Sequence, residues 1–266
     1  MHAIHADQGL SEPGDLIVRA SDTDVLVIML YHCPKVISNL WMDVGHSSSN
    51  TRRYINVTKL HKEIGVKVSA ALPSFHAYSG SDFTSCFYMK GKVKPFDKMV
   101  NDSQAQVAFS DLTSSDKIKA GTLKSLEKFT AKLYGCQNPK LSLNEYRYDF
   151  FEKSYRPKKN AANQLDNISG INASLLPPCE AELTTKLKRT RFVARMWTTA
   201  HKTNLITTPT VKDGFKLVDG RYEPVWYEGE MLPPGLNIIE ESNQEEDDDT
   251  YDHEASSSDE SSGDEE

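Results

Sequence analysis

Residues 15–27 read DLIVRASDTDVLV, and this stretch decides the fold. The three apolar residues at 16–18 indicate a short buried strand, because they are bounded on both sides by polar residues. The acidic turn Ser-Asp-Thr-Asp follows at 21–24, and the apolar run at 25–31 predicts either a packed helix or a second strand. Short apolar runs that alternate with helical patterns are typical of an α/β fold.

Hydropathy patterns extend this interpretation along the chain. Further strands are predicted at 40–44 and 52–57, and helices at 58–64, 67–72, 115–133, 143–155 and 180–201. Pro73 is expected to interrupt the helix before it, and the prolines and glycines of residues 209–236 predict an irregular packed segment. We therefore predict an α/β core over residues 1–111, a helical and irregular region over 112–239 and a tail over 240–266.

Charge is distributed unevenly between these regions. Residues 240–266 contain 14 Asp and Glu and no Lys or Arg, which leaves 24 acids against 31 bases in residues 1–239. The basic body predicts a polyanionic partner, while the acidic tail has too little apolar content to fold. Ser257, Ser261 and Ser262 each precede an acid by three residues, so the tail is a candidate for phosphorylation and for binding basic partners. Competition with nucleic acid for the body and a purely solubilising role are the alternatives for the tail.

The sequence argues against membrane, secretory and cysteine-based functions. The longest apolar run, at 25–30, is too short to span a membrane, and no signal peptide is visible. Cys33, Cys86, Cys136 and Cys179 form no CxxC pair, so neither a zinc site nor a disulfide framework is predicted. We expect an intracellular protein with reduced thiols, in the nucleus or the cytoplasm.

Two carboxylates in the first segment are candidate metal ligands. Asp22 and Asp24 follow the predicted strand at 16–18, and functional groups of α/β proteins gather beyond the carboxyl ends of strands. Two carboxylates held there can share a hard cation such as Mg²⁺ or Mn²⁺. The alternative is structural: Ser21 or Asp22 caps the next helix, and Asp24 complements the helix dipole.

A second segment, ALPSFHAYSGSDFTS at 71–85, carries a further carboxylate and a histidine. Gly80 permits a tight turn, which would place Asp82 at or near a helix start. His76 precedes that turn and is either catalytic or, as is usual for a lone histidine, structural. Three cations follow that can contact phosphate groups, namely Lys90, Lys92 and Lys94. A capped helix with a solvated basic end is the alternative.

A basic helix is predicted at 183–197. Four of its cations are expected to face outward, namely Lys188, Arg189, Arg191 and Arg195. They would contact the phosphates of a nucleic acid with an affinity that falls as salt rises. An ordinary solvated face is the alternative interpretation.

Together the two acidic segments resemble the PIN-like nuclease domains of the XPG and flap-endonuclease type. The closer resemblance is to a multicopy group of animal proteins that pair a Ser/Val-Asp-Thr-Asp-Val-Leu-Val segment with a Leu-Pro-x-x-His-Ala-x-x-Gly-Cys-Asp segment, and it spans most of residues 1–236. The resemblance implies a Rossmann-like core in which Asp22, Asp24 and Asp82 are catalytic and bind Mg²⁺ or Mn²⁺. It also implies that nearby lysines orient a nucleic-acid backbone.

The resemblance implies an incomplete, PIN-like core as well. Proteins of this group carry a Glu-Glu-Ala-Asp-Thr segment ahead of the helix that opens this chain, and Ser81 stands where they have Cys. The sequence thus predicts a metal-dependent nuclease-like protein with reduced or lost catalysis. The alternatives are a non-catalytic module that binds nucleic acid or protein, and an inert product of a mobile-element-derived gene. Asp7 or Asp43 beside Asp22 and Asp82 would favour the enzyme, whereas a wide separation of Asp22, Asp24 and Asp82 would count against it.

Overall fold

The protein is described by a computed structural model at residues 2–45, 51–115, 117–154 and 173–230. The predicted acidic tail lies outside the described residues. The helices are α1 (His2–Gln8), α2 (Thr23–His32), α3 (Val57–Ile64), α4 (Val66–Ser79), α5 (Val93–Val100), α6 (Ser103–Asp111), α7 (Ala120–Leu133), α8 (Leu143–Ser154) and α9 (Glu180–Thr198). The strands are β1 (Asp15–Arg19), β2 (Asn39–Val44), β3 (Arg53–Asn56), β4 (Phe215–Val218) and β5 (Arg221–Pro224). The predicted mixed α/β class is confirmed.

A small sheet and the helix that connects its first two strands form the amino-terminal part. β1 pairs with β2 in parallel, with Asp15 opposite Asn39 and Arg19 opposite Asp43, and β2 pairs with β3 antiparallel. α2 makes the crossover between β1 and β2, so the apolar run at 25–31 is a helix and not a strand. The carboxyl ends of β1 and β2 therefore lie at the same edge of the sheet.

The most deeply buried element is α4, which packs against α2, α6 and α9. The expectation that Pro73 interrupts the helix is wrong, because α4 continues to Ser79 with Pro73 inside it. Proline removes one backbone hydrogen bond from a helix interior. Apolar burial on both sides of Pro73, by Leu72 and by Phe75 and Tyr78, offsets that loss.

Aromatic rings connect α4 to later helices, so that residues before and after the predicted boundary at residue 111 share one core. The Tyr78 ring contacts the rings of Phe87, Phe109 and Phe129, and its hydroxyl lies 2.8 Å from the Thr130 hydroxyl. Tyr78 and Phe109 are fully buried. The same cluster continues to Leu183 and Leu187 of α9. The helices of the later region thus cover the amino-terminal part and do not form a separate core.

Several elements differ from the sequence-based expectations. α5 and α6 were not anticipated, and α7 begins at Ala120, five residues after the predicted start. The region at 209–236 contains the antiparallel hairpin β4–β5, so an irregular structure is wrong for that part. The turn is Asp219-Gly220, with φ of 48° and 77°. Asp-Gly is a frequent two-residue hairpin turn, so this signal was present in the sequence.

No helix of the described residues is both long enough and apolar enough to cross a membrane. This finding agrees with the expectation that was drawn from the short apolar runs.

The stability of the protein should depend strongly on the glycine in the turn after α4. Gly80 has φ of 116°, and an added Cβ would lie 2.7 Å from Cβ and 2.9 Å from Cα of Cys86. Gly80→Ala should therefore lower the free energy of unfolding by about 1–3 kcal/mol, measured by urea denaturation. Gly91→Ala is the matched control, because a Cβ there meets no atom within 4 Å. Equal stability of the two variants would show that the turn is not constrained as described.

Candidate functional site

The candidate site lies at the carboxyl edge of β1 and β2, where α2 begins. Asp22 is the N-cap of α2, and its Oδ1 accepts a hydrogen bond of 2.8 Å from the backbone N–H of Asp24. A carboxylate in this position satisfies an otherwise unpaired helix amide and complements the positive helix end. The helix cap that the structural alternative predicts is therefore present at Asp22. It uses one oxygen of Asp22 and leaves the other oxygen, and the side chain of Asp24, for other partners.

Asp24 pairs with His76 across 52 positions of sequence. Asp24 Oδ1 lies 2.8 Å from His76 Nε2, and the two side chains are 15% and 7% exposed. α2 carries the carboxylate and α4 carries the ring, so the pair links two helices that pack on each other. The sequence singled out both residues but gave no indication that they touch, because nothing in a local pattern reports a contact this distant.

Burial and neighbouring charges set the protonation of His76. Burial lowers the pKa of His76, and the hydrogen bond that His76 donates to Asp24 partly opposes that shift. The charge of Lys92 lowers the pKa further, whereas the charge of Asp22 raises it. The lowered pKa favours the neutral form of the ring, and Nε2 faces the Asp24 carboxylate. A neutral imidazole oriented by a carboxylate is suited to take up a proton at its other nitrogen.

Asp43 stands at the same edge in a second ion pair. Its carboxylate accepts hydrogen bonds of 3.0 and 2.8 Å from Arg52, and β-sheet pairing sets it opposite Arg19. The hydrogen bond from Arg52 lowers the pKa of Asp43. Asp7 instead accepts hydrogen bonds from the backbone amides of residues 37 and 38, ahead of β2. Of the two extra acids considered from sequence, Asp43 is the one at the candidate edge.

Asp82 is placed differently from the sequence-based expectation. It lies exposed in a short turn in which the backbones of Ser81 and Thr84 pair with each other, so a helix start at Asp82 is wrong. The tight turn at Gly80 closes the segment back onto Cys86, and the next helix begins only at Val93. Within the described ranges, no three His, Cys, Asp or Glu side chains form a group that could hold a metal ion. Metal binding by Asp22, Asp24 and Asp82 stays a prediction.

The three lysines after this turn have different surroundings. Lys92 and Lys94 are exposed at the start of α5, and Lys92 is close enough to His76 to influence its pKa. Lys90 is half-buried, with its ammonium group 4.4 Å from the centre of the Tyr134 ring. Lys92 is therefore a predicted nucleic-acid contact whose charge acts on His76.

The cations of α9 do not form the outward row that the sequence suggested. Lys188 is exposed and Arg195 is half-buried, but Arg189 and Arg191 are buried, so their outward orientation is wrong. Arg191 donates to Asp213 at 2.9 Å and to the carbonyl of Ser115 at 3.2 Å. The chain after α9 packs back onto this helix and covers the face that an isolated helix would expose.

Comparison of the chain with models of known protein families, with curated proteins and with solved structures gives no match. The candidate site therefore has to be interpreted from its own residues.

The Asp24–His76 pair can be tested by NMR titration of the histidine ring. Asp24→Asn removes a contact and a charge that raise the pKa of His76, so the pKa should fall further below 6.5. Lys92→Met removes a charge that lowers the pKa, so the pKa should rise. Shifts in the same direction, or no shift in either variant, would contradict the geometry of the site.

The Arg191–Asp213 pair predicts a structural role for Arg191. Both side chains are at least nine-tenths buried, so Arg191→Met leaves Asp213 buried without its counter-ion. The loss in unfolding free energy should be about 3–5 kcal/mol in a urea titration. The exposed neighbour Lys188→Met should cost about 0.5 kcal/mol or less. Equal, small effects of both substitutions would mean that Arg191 is solvated after all.

Proposed function

We propose that this protein is a metal-dependent, nuclease-like protein that acts on phosphodiester bonds of nucleic acid at the Asp22–Asp24–His76 edge. The observation that carries the proposal is the convergence of Asp22, Asp24 and the buried His76 ring beyond the carboxyl ends of parallel strands, within reach of the charge of Lys92. Such edges are where α/β folds bind ligands. The resemblance to PIN-like domains supports the same assignment and extends it to a partial PIN-like core.

The donor chemistry of the edge fits a hard divalent cation. Asp22 and Asp24 supply carboxylate oxygens, and for each of them the described residues provide a hydrogen bond to one oxygen only. Mg²⁺ typically uses one or two protein carboxylates and completes its shell with water and substrate phosphate. Asp22 and Asp24 would be the protein ligands of Mg²⁺ or Mn²⁺ in this proposal. When bound, the ion would lower the pKa of a water molecule and polarise the phosphodiester.

The chain's own residues supply the remaining functions. Lys92 and Lys94 are exposed cations at the start of α5 and contact the phosphate backbone, which orients the strand. His76 is held by Asp24 and accepts a proton during attack on phosphorus. The capping contact of Asp22 fixes the direction of its carboxylate before any ligand arrives. Asp82, in the exposed turn after α4, would be a further metal ligand, as the resemblance implies.

A non-catalytic nucleic-acid binding module is the second candidate. Residues 1–239 carry 31 bases against 24 acids, and this surplus supports binding to a polyanion without requiring any reaction. In that case the Asp24–His76 pair is a structural link between α2 and α4, and the exposed lysines provide the affinity.

A cleavage assay separates the two candidates. The purified chain is incubated in Mn²⁺ with labelled single-stranded and flap DNA and RNA, beside Asp22→Asn, Asp24→Asn and Asp82→Asn. Asparagine is as good an N-cap as aspartate, so Asp22→Asn removes the charge and keeps the helix end. Cleavage by the parent should fall about 100-fold or more in Asp22→Asn, and the exposed Asp97→Asn should cleave as the parent does.

The outcomes are distinct. Loss of cleavage in Asp22→Asn with Asp97→Asn unaffected supports the nuclease. Binding of nucleic acid without cleavage by the parent overturns the nuclease and supports the binding module. Cleavage that survives all three substitutions overturns the assignment of the site to this edge.

A further inference from the structure

A cavity on the carboxyl-terminal side of the fold has a composition that points to a ligand. It measures about 300 Å³ and lies between α9, residues 85–88 and the segment that carries Trp226 and Tyr227. A volume of this size is at the lower end of the range for small-molecule pockets. Asp22, Asp24 and His76 do not line it. The cavity is therefore a candidate ligand-binding site separate from the acidic edge.

Two buried cations of α9 line this cavity without a salt bridge to a carboxylate of the described residues. Lys186 and Arg189 are 6% and 5% exposed, and neither forms a salt bridge with any acidic side chain of the described residues. Lys186 donates to the carbonyl and, at 3.3 Å, to the hydroxyl of Ser85, and Arg189 donates to the carbonyl of Val225. These partners are neutral, so they orient the two cations without neutralising their charge.

Burying a charged group without an ion-pair partner costs free energy, and this cost lowers the pKa of Lys186. Burial, followed by the charge of Arg189, lowers the pKa of Lys186 to about 8. Glu182 also lines the cavity and opposes that shift, without coming into salt-bridge contact with Lys186. An anion placed between Lys186 and Arg189 would relieve both the desolvation and the mutual repulsion of the two cations.

Aromatic rings form the remainder of the lining. The Lys186 ammonium lies 4.6 Å from the Phe87 ring centre, and the Arg189 guanidinium lies 4.9 Å from that of Trp226. Tyr134 and Trp226 both line the cavity, and Trp226 is 58% exposed, which leaves part of its ring open to a flat ligand. Rings of this kind stack on nucleobases and on other planar groups.

We propose that this cavity binds a nucleoside monophosphate, with its phosphate between Lys186 and Arg189 and its base against Trp226. A phosphate monoester carries close to two negative charges at pH 7, which matches two cations three residues apart on one helix better than a carboxylate does. The group is supplied either by a free nucleotide or by the 5′ end of a nucleic-acid strand. The proposal does not depend on the nuclease assignment, because no residue of the acidic edge takes part in it.

Calorimetry on the full chain tests the proposal with AMP, adenosine and inorganic phosphate as probes. AMP should bind at least about 10-fold more tightly than adenosine, since only AMP pairs with the buried cations. Lys186→Met, Arg189→Met and Trp226→Ala should each weaken AMP binding, whereas Lys188→Met, exposed on the same helix, should leave it unchanged. No binding of AMP at millimolar concentration, or equal binding by Lys186→Met and the parent, overturns the proposal.

Two further measurements protect the test against misfolding and identify the source of the phosphate. In the chain without substitutions, AMP should raise the pKa of Lys186 from about 8, followed by NMR of ¹³C-labelled lysine side chains, because an adjacent anion favours the charged form. An unchanged pKa at saturating AMP would overturn the proposal. A 5′-phosphorylated pentanucleotide that binds more tightly than both AMP and its 5′-hydroxyl counterpart would identify strand ends as the source. Tighter binding of AMP would identify the free nucleotide.

Discussion

The burial of α4 is the constraint on which the rest of the structure depends. A helix surrounded by other elements leaves few polar side chains in contact with water, so most of them need a partner inside the protein, and the buried Ser69 hydroxyl is an exception with none among the described residues. Tyr78 satisfies its hydroxyl with Thr130 of α7, and His76 satisfies its ring with Asp24 of α2. The contacts that hold α4 in the core therefore also fix where α2 and α7 stand around it.

This constraint links the core to the candidate site. His76 is held inside the protein, and its contact with Asp24 fixes the position of the first turn of α2, directly beyond the carboxyl end of β1. Asp22 is fixed there as well, through its capping contact with the amide of Asp24. The same carboxylates thus stabilise a helix end and collect negative charge at one edge of the sheet. Structural and functional interpretations of these residues are compatible, because a capping or pairing contact uses only one carboxylate oxygen.

The sequence predicted the parts of the fold that local patterns report. The strand at 16–18, the mixed α/β class and the acidic turn ahead of α2 follow from short-range hydropathy and capping chemistry, and the structure confirms them. The expectation that this strand is buried is wrong, because Ile17 is 59% exposed and Leu16 and Val18 are only half-buried. The continuation of α4 through Pro73 was missed, because packing on both sides of a proline is a tertiary effect. The burial of Arg191 was missed for the same reason, since its partner Asp213 is 22 positions away. At the site, the sequence identified Asp24 and His76 separately, and only the fold brings them into contact.

Asp22 and Asp24 are the proposed binding site of this protein for a divalent cation. Substoichiometric Mn²⁺ added to the ¹⁵N-labelled chain tests it directly, because the paramagnetic ion broadens only the NMR signals of nearby groups. We expect the strongest broadening at the amides of residues 22–24 and at the ring of His76, and its loss in Asp22→Asn. Broadening confined to residues 240–266, which carry 14 acidic side chains, with none at residues 22–24, would contradict the account.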